Sequence, residues 1–256
     1  MRIRTGVYWS AGARRDANQD SLSLQHVAAG RGECLFAAVC DGIGSLAVSE
    51  EASGYAVRHM TDWFYQEGKE LIYQNSPKEL ILLALQQQIG QIQENLKKFQ
   101  QNRNLQTGTT FSSILLIKNR YYLVHIGDSR IYQIRVKSIP IVKPKYNIVC
   151  LTRDDRNDKG FLLKCLGVSG RDRACFETGT VRKGTVFLLC TDGFFHGGGT
   201  ERCRDVLGPV LNRKRQRAEK RAGSEEILER KLEMLGEHAI RSGSMDNMAA
   251  IAVVVR

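Results

Sequence analysis

Leu35-Phe36-Ala37-Ala38-Val39-Cys40-Asp41-Gly42-Ile43-Gly44-Ser45 is the stretch from which the rest of the chain can be read. It opens as an uninterrupted apolar run, the pattern of a strand buried on both faces. It ends in an aspartate and two glycines. A carboxylate is costly to bury unless a cation or a hydrogen-bond partner accompanies it, and glycine lets the backbone turn sharply and approach a ligand closely. Val186-Phe187-Leu188-Leu189-Cys190-Thr191-Asp192-Gly193 repeats the design. One Asp-Gly after a strand is satisfied by a turn. Two apolar strands, each delivering an Asp-Gly, point to two carboxylates converging on one cation site.

Outward from the first run, residues 3–9 and 21–27 alternate as strands beside the buried strand 34–40, with the polar loop Arg14-Arg15-Asp16-Ala17-Asn18-Gln19-Asp20 between the first two. From Ser45 to about Glu67 the apolar spacing is helical, through Ala52, Ala56, Met60 and Trp63. Ser76-Pro77-Lys78-Glu79 predicts a second helix, with Ser76 as N-cap, Pro77 in the first helical position and Glu79 closing a capping box. Its stripe, Ile81, Leu85, Ile89, Ile92, Leu96 and Phe99, predicts a helix laid along a sheet. Strands are expected at 109–117, 121–126 and 130–136. Tight turns at Lys118-Asn119 and Gly127-Asp128-Ser129 would make them one antiparallel meander. Further strands at 147–152, 174–181 and 185–191, helices at about 201–221 and 224–241, and a final strand at 248–255 complete the order. That order predicts a layered α+β protein and not a βαβ parallel fold. No Pro/Gly linker divides it, so residues 1–256 are read as a single domain.

Composition narrows the setting. With 42% hydrophobic and 25% charged residues in 256, the chain is globular in type. No apolar run is long enough to cross a bilayer, and Met1-Arg2-Ile3-Arg4-Thr5 leads into no signal-peptide core. Seven cysteines without a Cys-x-x-Cys pair suit a reduced, cytoplasmic protein. The formal charge of +11 favours anionic partners. Much of it sits in Arg213-Lys214-Arg215-Gln216-Arg217-Ala218-Glu219-Lys220-Arg221, which has no interleaved aromatic residues. A solvated helix face that assists docking of acidic substrates is expected there, ahead of nucleic-acid binding.

The chemistry-bearing residues are the aspartates at strand ends and in glycine turns: Asp20, Asp41, Asp128, Asp192 and Asp246. The five histidines form no ligand-like pair and the thiols do not cluster. An oxygen-only ligand set suits Mg²⁺ or Mn²⁺. Two such ions roughly 3.5–4 Å apart can share a carboxylate and a water, and their charge makes that water a nucleophile near neutral pH. Such a site hydrolyses phosphate esters, with a guanidinium helping to neutralise the phosphate oxygens. Arg15, just ahead of Asp20, is the natural guanidinium.

Arg15-x-x-Asn18-Gln19-Asp20, Val39-Cys40-Asp41-Gly42-Ile43-Gly44, Thr107-Gly108-Thr109-Thr110, Gly127-Asp128-Ser129-Arg130, Leu151-Thr152-Arg153-Asp154, Cys190-Thr191-Asp192-Gly193 and Asp246-Asn247 follow one another in that order. Together they resemble the protein phosphatase 2C family, the metal-dependent serine/threonine phosphatases, in its compact bacterial type. The resemblance implies a four-layer α/β/β/α sandwich of two antiparallel sheets flanked by helix pairs. It implies that Asp41 bridges two Mn²⁺ or Mg²⁺ ions and that the Gly42 carbonyl adds a ligand. Asp192 and Asp246 would complete the second metal, Asp20 would hold metal-bound water and Arg15 the substrate phosphate. Asp128 would share a weaker third ion with Asp192, and Asn247 would shape the turn. The catalytic residues would be Arg15, Asp41 and Asp192.

The implied activity is hydrolysis of phosphoserine and phosphothreonine on proteins, opposing a serine/threonine kinase, in a monomer without membrane association. The alternatives are a non-catalytic phosphoprotein-binding member of the same fold and a phosphoesterase of small esters. Three positions depart from the family pattern. Ile43 stands where animal enzymes carry a histidine proposed as general acid, and His196 follows the second Asp-Gly where an acidic residue is common. Only a short polar linker separates Asp154 from Leu162, where bacterial relatives carry a helical flap.

Overall fold

The computed structural model describes residues 2–15, 17–29, 32–138, 145–168, 173–196, 199–212 and 224–256. Strands β1 (Ile3–Ser10), β2 (Ser21–Ala29) and β3 (Gly32–Cys40) precede helix α1 (Ser49–Trp63). A π-helical turn (Phe64–Gly68) carries α1 on into α2 (Lys69–Tyr73), and α3 (Lys78–Arg103) follows. Strands β4 (Phe111–Ile117), β5 (Arg120–Ile126), β6 (Arg130–Ser138), β7 (Lys145–Cys150), β8 (Cys175–Thr180) and β9 (Thr185–Cys190) come next. After them come α4 (Asp192–Phe195), α5 (Gly199–Leu207), a 3₁₀ turn (Gly208–Leu211), α6 (Ser224–Arg241) and β10 (Met248–Val255).

The strands form two five-stranded sheets, ordered β1-β10-β9-β6-β7 and β2-β3-β4-β5-β8. Every pairing is antiparallel. The expected α+β class with two antiparallel sheets is the one observed. The chain divides into two compact units, each made of separated stretches. One comprises residues 1–18, 130–153 and 181–256, the other 19–129 and 154–180.

Each unit has its own apolar core. In the second, Phe36, Ala38 and Cys40 of β3 and Leu115 of β4 pack with Ala52, Ala56 and Met60 of α1 and with Leu85 and Ile92 of α3. Their neighbours Leu35, Ala37 and Val39, which point to the other face of the sheet, are also fully buried. The unbroken apolar run therefore reports burial on both faces, as an alternating strand could not. In the first unit, Val186 and Leu188 of β9 and Ala250 and Ala252 of β10 meet Leu228, Leu232 and Leu235 of α6. Helix α6 lies close on β1, because a Cβ at Gly6 would stand 2.6 Å from that of Leu228. Each fully buried aliphatic side chain contributes on the order of 1.5–3 kcal/mol.

Three local expectations are corrected. The meander stops at two strands: β4 pairs with β5, but the far edge of β5 is taken by β8, and β6 pairs with β9 and β7 in the other sheet. Gly127-Asp128-Ser129 is thus a crossing point between sheets and not a hairpin turn. Gly127 adopts φ +112°, and a Cβ there would stand 2.6 Å from Cβ of Thr110. At the start of α3, Pro77 takes the N-cap place with extended geometry and no side-chain cap bond forms. A fixed φ and a missing N–H suit Pro77 just outside the helix as well as just inside it, and its carbonyl accepts from the N–H groups of Leu80 and Ile81. The first helix begins at Ser49 and continues beyond Glu67 through the π turn and α2. The stripe of α3 is buried from Ile81 to Leu96 as expected, while Phe99 is partly covered by the Arg103 guanidinium, 4.6 Å from its ring centroid. The 201–221 helix is seen only through α5 and the 3₁₀ turn, and the basic run 213–221 lies outside the described residues.

Candidate functional site

In the second unit, three of the expected aspartates gather at one end of its sheet. The β2–β3 register ends at the pair Ser21↔Cys40, and the Gly42 N–H donates to the Gln19 carbonyl at 3.2 Å. Asp20 and Asp41 therefore face each other where the ladder ends. Asp128 follows β5 at the same end, since Phe111 pairs with Ile126.

The Thr107-Gly108-Thr109-Thr110 motif holds the Asp41 backbone. Thr110 Oγ1 accepts from the Asp41 N–H at 2.9 Å, and the Thr110 N–H and Thr109 Oγ1 both donate to the Asp41 carbonyl at 2.9 Å. Thr110 Oγ1 is in turn 2.8 Å from Ser129 Oγ, beside Asp128. Ser53 of α1 donates to the Gln19 carbonyl at 2.6 Å, fixing the approach to Asp20. Gly42 has no room for a side chain: a Cβ would stand 2.8 Å from the carbonyl oxygens of Gln19 and Ser49. Just behind, burial pushes the Cys40 thiol well above its ordinary pKa, and the Asp20 and Asp41 carboxylates add to the rise. Cys40 is a neutral core residue.

The first unit presents Arg15, Asp192 and Asp246 at one end of its sheet. Asp192 follows β9 and Asp246 precedes β10, and Cys190 pairs with Ala250. Thr191 ties the two together, its N–H donating to the Ala249 carbonyl at 3.0 Å and its Oγ1 accepting from the Ala249 N–H at 2.9 Å. A Cβ at Gly193 would stand 2.2 Å from the Asn247 carbonyl, so only glycine allows this approach. Asn247 shapes the turn as expected. Its side-chain amide donates to the carbonyls of Ala11 (2.9 Å) and Ala17 (3.1 Å), gripping both ends of the loop that carries Arg15. Arg15 reaches Asp246 at 3.1 Å, with both side chains more than two-fifths exposed. After the second Asp-Gly, Phe195 lies under the Arg130 guanidinium, 4.0 Å from its ring centroid, and His196 is exposed.

Every expected ligand is a carboxylate or a backbone carbonyl. Asp20 and Asp128 are almost fully buried, and Gly42 and Gly193 are cradles that a Cβ would fill. Those donors fit hard divalent cations. Among the described residues no three His, Cys, Asp or Glu side chains stand as a ready ligand shell. Two of the acids are engaged by arginines: Asp246 by Arg15 and Asp128 by Arg156. The second pairing is not legible in the sequence, where 155–161 reads as a polar linker. An Asn157-x-x-Gly160 turn signal stood in it. An apolar hollow of about 170 Å³, lined by Val27, Cys34, Phe64, Tyr65 and Ile72 among others, includes none of the expected ligands.

The profile of the family described as Protein phosphatase 2C matches residues 10–235. The chain belongs to the protein phosphatase 2C family, and is a metal-dependent serine/threonine protein phosphatase and so a hydrolase. No curated protein matches it. Among solved structures it is similar to the serine/threonine phosphatase Stp1 from Staphylococcus aureus, with TM-score 0.79 and 17% identity over 100% of this chain and 96% of that one. It is also similar to PppA from Pseudomonas aeruginosa, with TM-score 0.75 and 20% identity over 100% and 99%. A third is the catalytic domain of the serine/threonine phosphatase PstP in complex with 2 manganese ions, with TM-score 0.70 and 23% identity over 99% and 98%. At these identities the likeness speaks for the fold.

Proposed function

We propose that this chain releases phosphate from phosphoserine and phosphothreonine in proteins with two Mn²⁺ or Mg²⁺ ions, held by Asp20, Asp41, the Gly42 carbonyl, Asp192 and Asp246. The supporting observation is that two buried strands each end in an Asp-Gly held in place through its backbone: Thr109 and Thr110 bind the Asp41 backbone, and Ser244 Oγ donates to the Gly193 carbonyl at 2.9 Å. When bound, such ions supply a nucleophilic water near neutral pH and offset the charge of the phosphate. Asp41 and Asp192 fix where that charge sits. Arg15, on the loop gripped by Asn247, presents a planar fork suited to two phosphate oxygens. Its pair with Asp246 is solvent-screened and worth no more than about 1 kcal/mol, so a phosphate can draw the guanidinium away.

Neither unit holds the whole acidic set and each is built from separated stretches, which supports residues 1–256 working as one phosphatase domain. Among the described residues no helix is long and apolar enough to cross a membrane. A cytoplasmic monomer opposing a serine/threonine kinase is the setting we infer.

The test is phosphate release from a phosphothreonine peptide with Mn²⁺, with Mg²⁺ and with chelator, for the wild type and Asp192→Ala. Metal-dependent release that falls by about a hundredfold or more in the variant is the expected result. Folded, Mn²⁺-loaded wild type that releases none overturns the reading.

A further inference from the structure

Asp128 is the expected ligand whose surroundings least resemble a metal site. Its side chain is only 6% exposed, and a carboxylate so buried is costly unless a cation or a hydrogen-bond partner accompanies it. The structure supplies one from the chain itself: Arg156 Nε donates to Asp128 Oδ2.

The contact is built by the short linker and is not an accident of a long side chain. Asp155 is bound to the turn that carries Asp128, its N–H donating to the Gly127 carbonyl at 2.8 Å and its Oδ2 accepting from the Gly127 N–H at 3.1 Å. Its Oδ1 accepts from Lys164 Nζ at 2.7 Å, and its carbonyl from the Leu163 N–H at 2.7 Å. Arg156 bridges to Leu162 across the linker. The Asn157 side-chain oxygen accepts from the N–H groups of Lys159 (3.0 Å) and Phe161 (2.9 Å), and Gly160, at φ +82°, closes the tip. The linker is a small closed hairpin fastened to Gly127, with Arg156 on the strand that passes Asp128.

A divalent ion on the same carboxylate would stand beside a guanidinium already bound there. Like charges a few ångströms apart repel strongly where water is excluded. We infer that Arg156 is the resident cation of Asp128 and takes the place of a third divalent ion, so that this phosphatase works with two metals and a guanidinium. The inference rests on the two-metal reading proposed above.

Equilibrium dialysis against Mn²⁺ counts bound ions independently of activity. Wild type and Asp128→Asn are expected to bind the same number of ions per chain. Arg156→Ala is expected to gain one further, weaker ion, which the double variant Asp128→Asn/Arg156→Ala loses. Arg156→Gln keeps the stem of the side chain and replaces the alanine variant should that one fail to fold. Loss of one ion in Asp128→Asn with Arg156 in place overturns the inference, as does an Arg156 variant that folds and gains none. A wild type that binds no Mn²⁺, or a count unchanged in Asp192→Ala, overturns the two-metal reading instead. The Arg156 assignment is then judged by the gain in its own variant.

Discussion

Arg15 and Arg156 each pair with an aspartate of the ligand set, but they are held in opposite ways. Arg15 extends from a loop gripped at Ala11 and Ala17, and meets Asp246 where both side chains are well exposed. Arg156 is delivered by a closed hairpin to a carboxylate that is nearly all buried. The first pair is a surface ion pair with little to lose on separation. In the second, removing the arginine takes a cation away from a buried charge, which is costly. An arginine that must change partner to meet a substrate suits the first arrangement, and one that replaces a fixed cation suits the second.

Breaking the buried pair is expected to have the largest effect. Without metal, Arg156→Ala should lower stability by about 3 kcal/mol, the low end for a buried pair because the Arg156 side chain is itself partly exposed, measured by urea unfolding in chelator. Millimolar Mn²⁺, which stabilises every variant through the two core ions, should narrow the gap between Arg156→Ala and the wild type, and leave unchanged the gap between Asp128→Asn/Arg156→Ala and Asp128→Asn. Equal losses for Arg15→Ala and Arg156→Ala would erase the distinction. Next in size, Asn247→Ala removes two hydrogen bonds to carbonyls from a buried amide. It should cost about 1–2 kcal/mol and raise KM for a phosphopeptide more than it lowers kcat, as the Arg15 loop loosens. Smallest in stability, Arg15→Ala should stay within about 1 kcal/mol of the wild type, while phosphopeptide turnover falls clearly. A stability loss as large as that of Asn247→Ala would show that the Arg15 pair is structural.

Much of this was visible in the residues. Residues 34–40 of β3, 186–190 of β9 and 248–255 of β10 are unbroken apolar runs, and burial on both faces leaves that signature and few others. The aspartates beside them stand out because a charge next to such a run needs a reason. Periodicity, however, reports which side of a strand is buried and not which strand lies beside it. Local pattern therefore makes the Gly127-Asp128-Ser129 crossing look like a hairpin, although Gly127 marks a tight place in either geometry. The Ser76 cap failed for a related reason. Pro77 is compatible with the last residue outside a helix and the first inside it, and the difference is one hydrogen bond. Arg156 was hidden because its partner lies 28 residues away in sequence, joined to it by a fold of the linker that no local pattern specifies.

The order of strands also governs how the protein can be made. The sheet that holds β2 to β5 can begin to close by successive neighbours as the chain emerges. The other sheet cannot: β1 pairs along its whole length with β10, in a register from Ile3↔Val255 to Ser10↔Met248. At ordinary ribosomal speed, β1 waits on the order of ten to fifty seconds for its partner. From its own synthesis until β10 follows, the largely apolar β9 also lacks the neighbour it shares with β1. A nascent chain stalled before residue 248 would therefore expose sticky strand edges and invite chaperones. Such contacts between distant parts of a chain slow folding. Asp246 reaches its place only as β10 docks, so the acidic set should be complete only once β10 has left the ribosome.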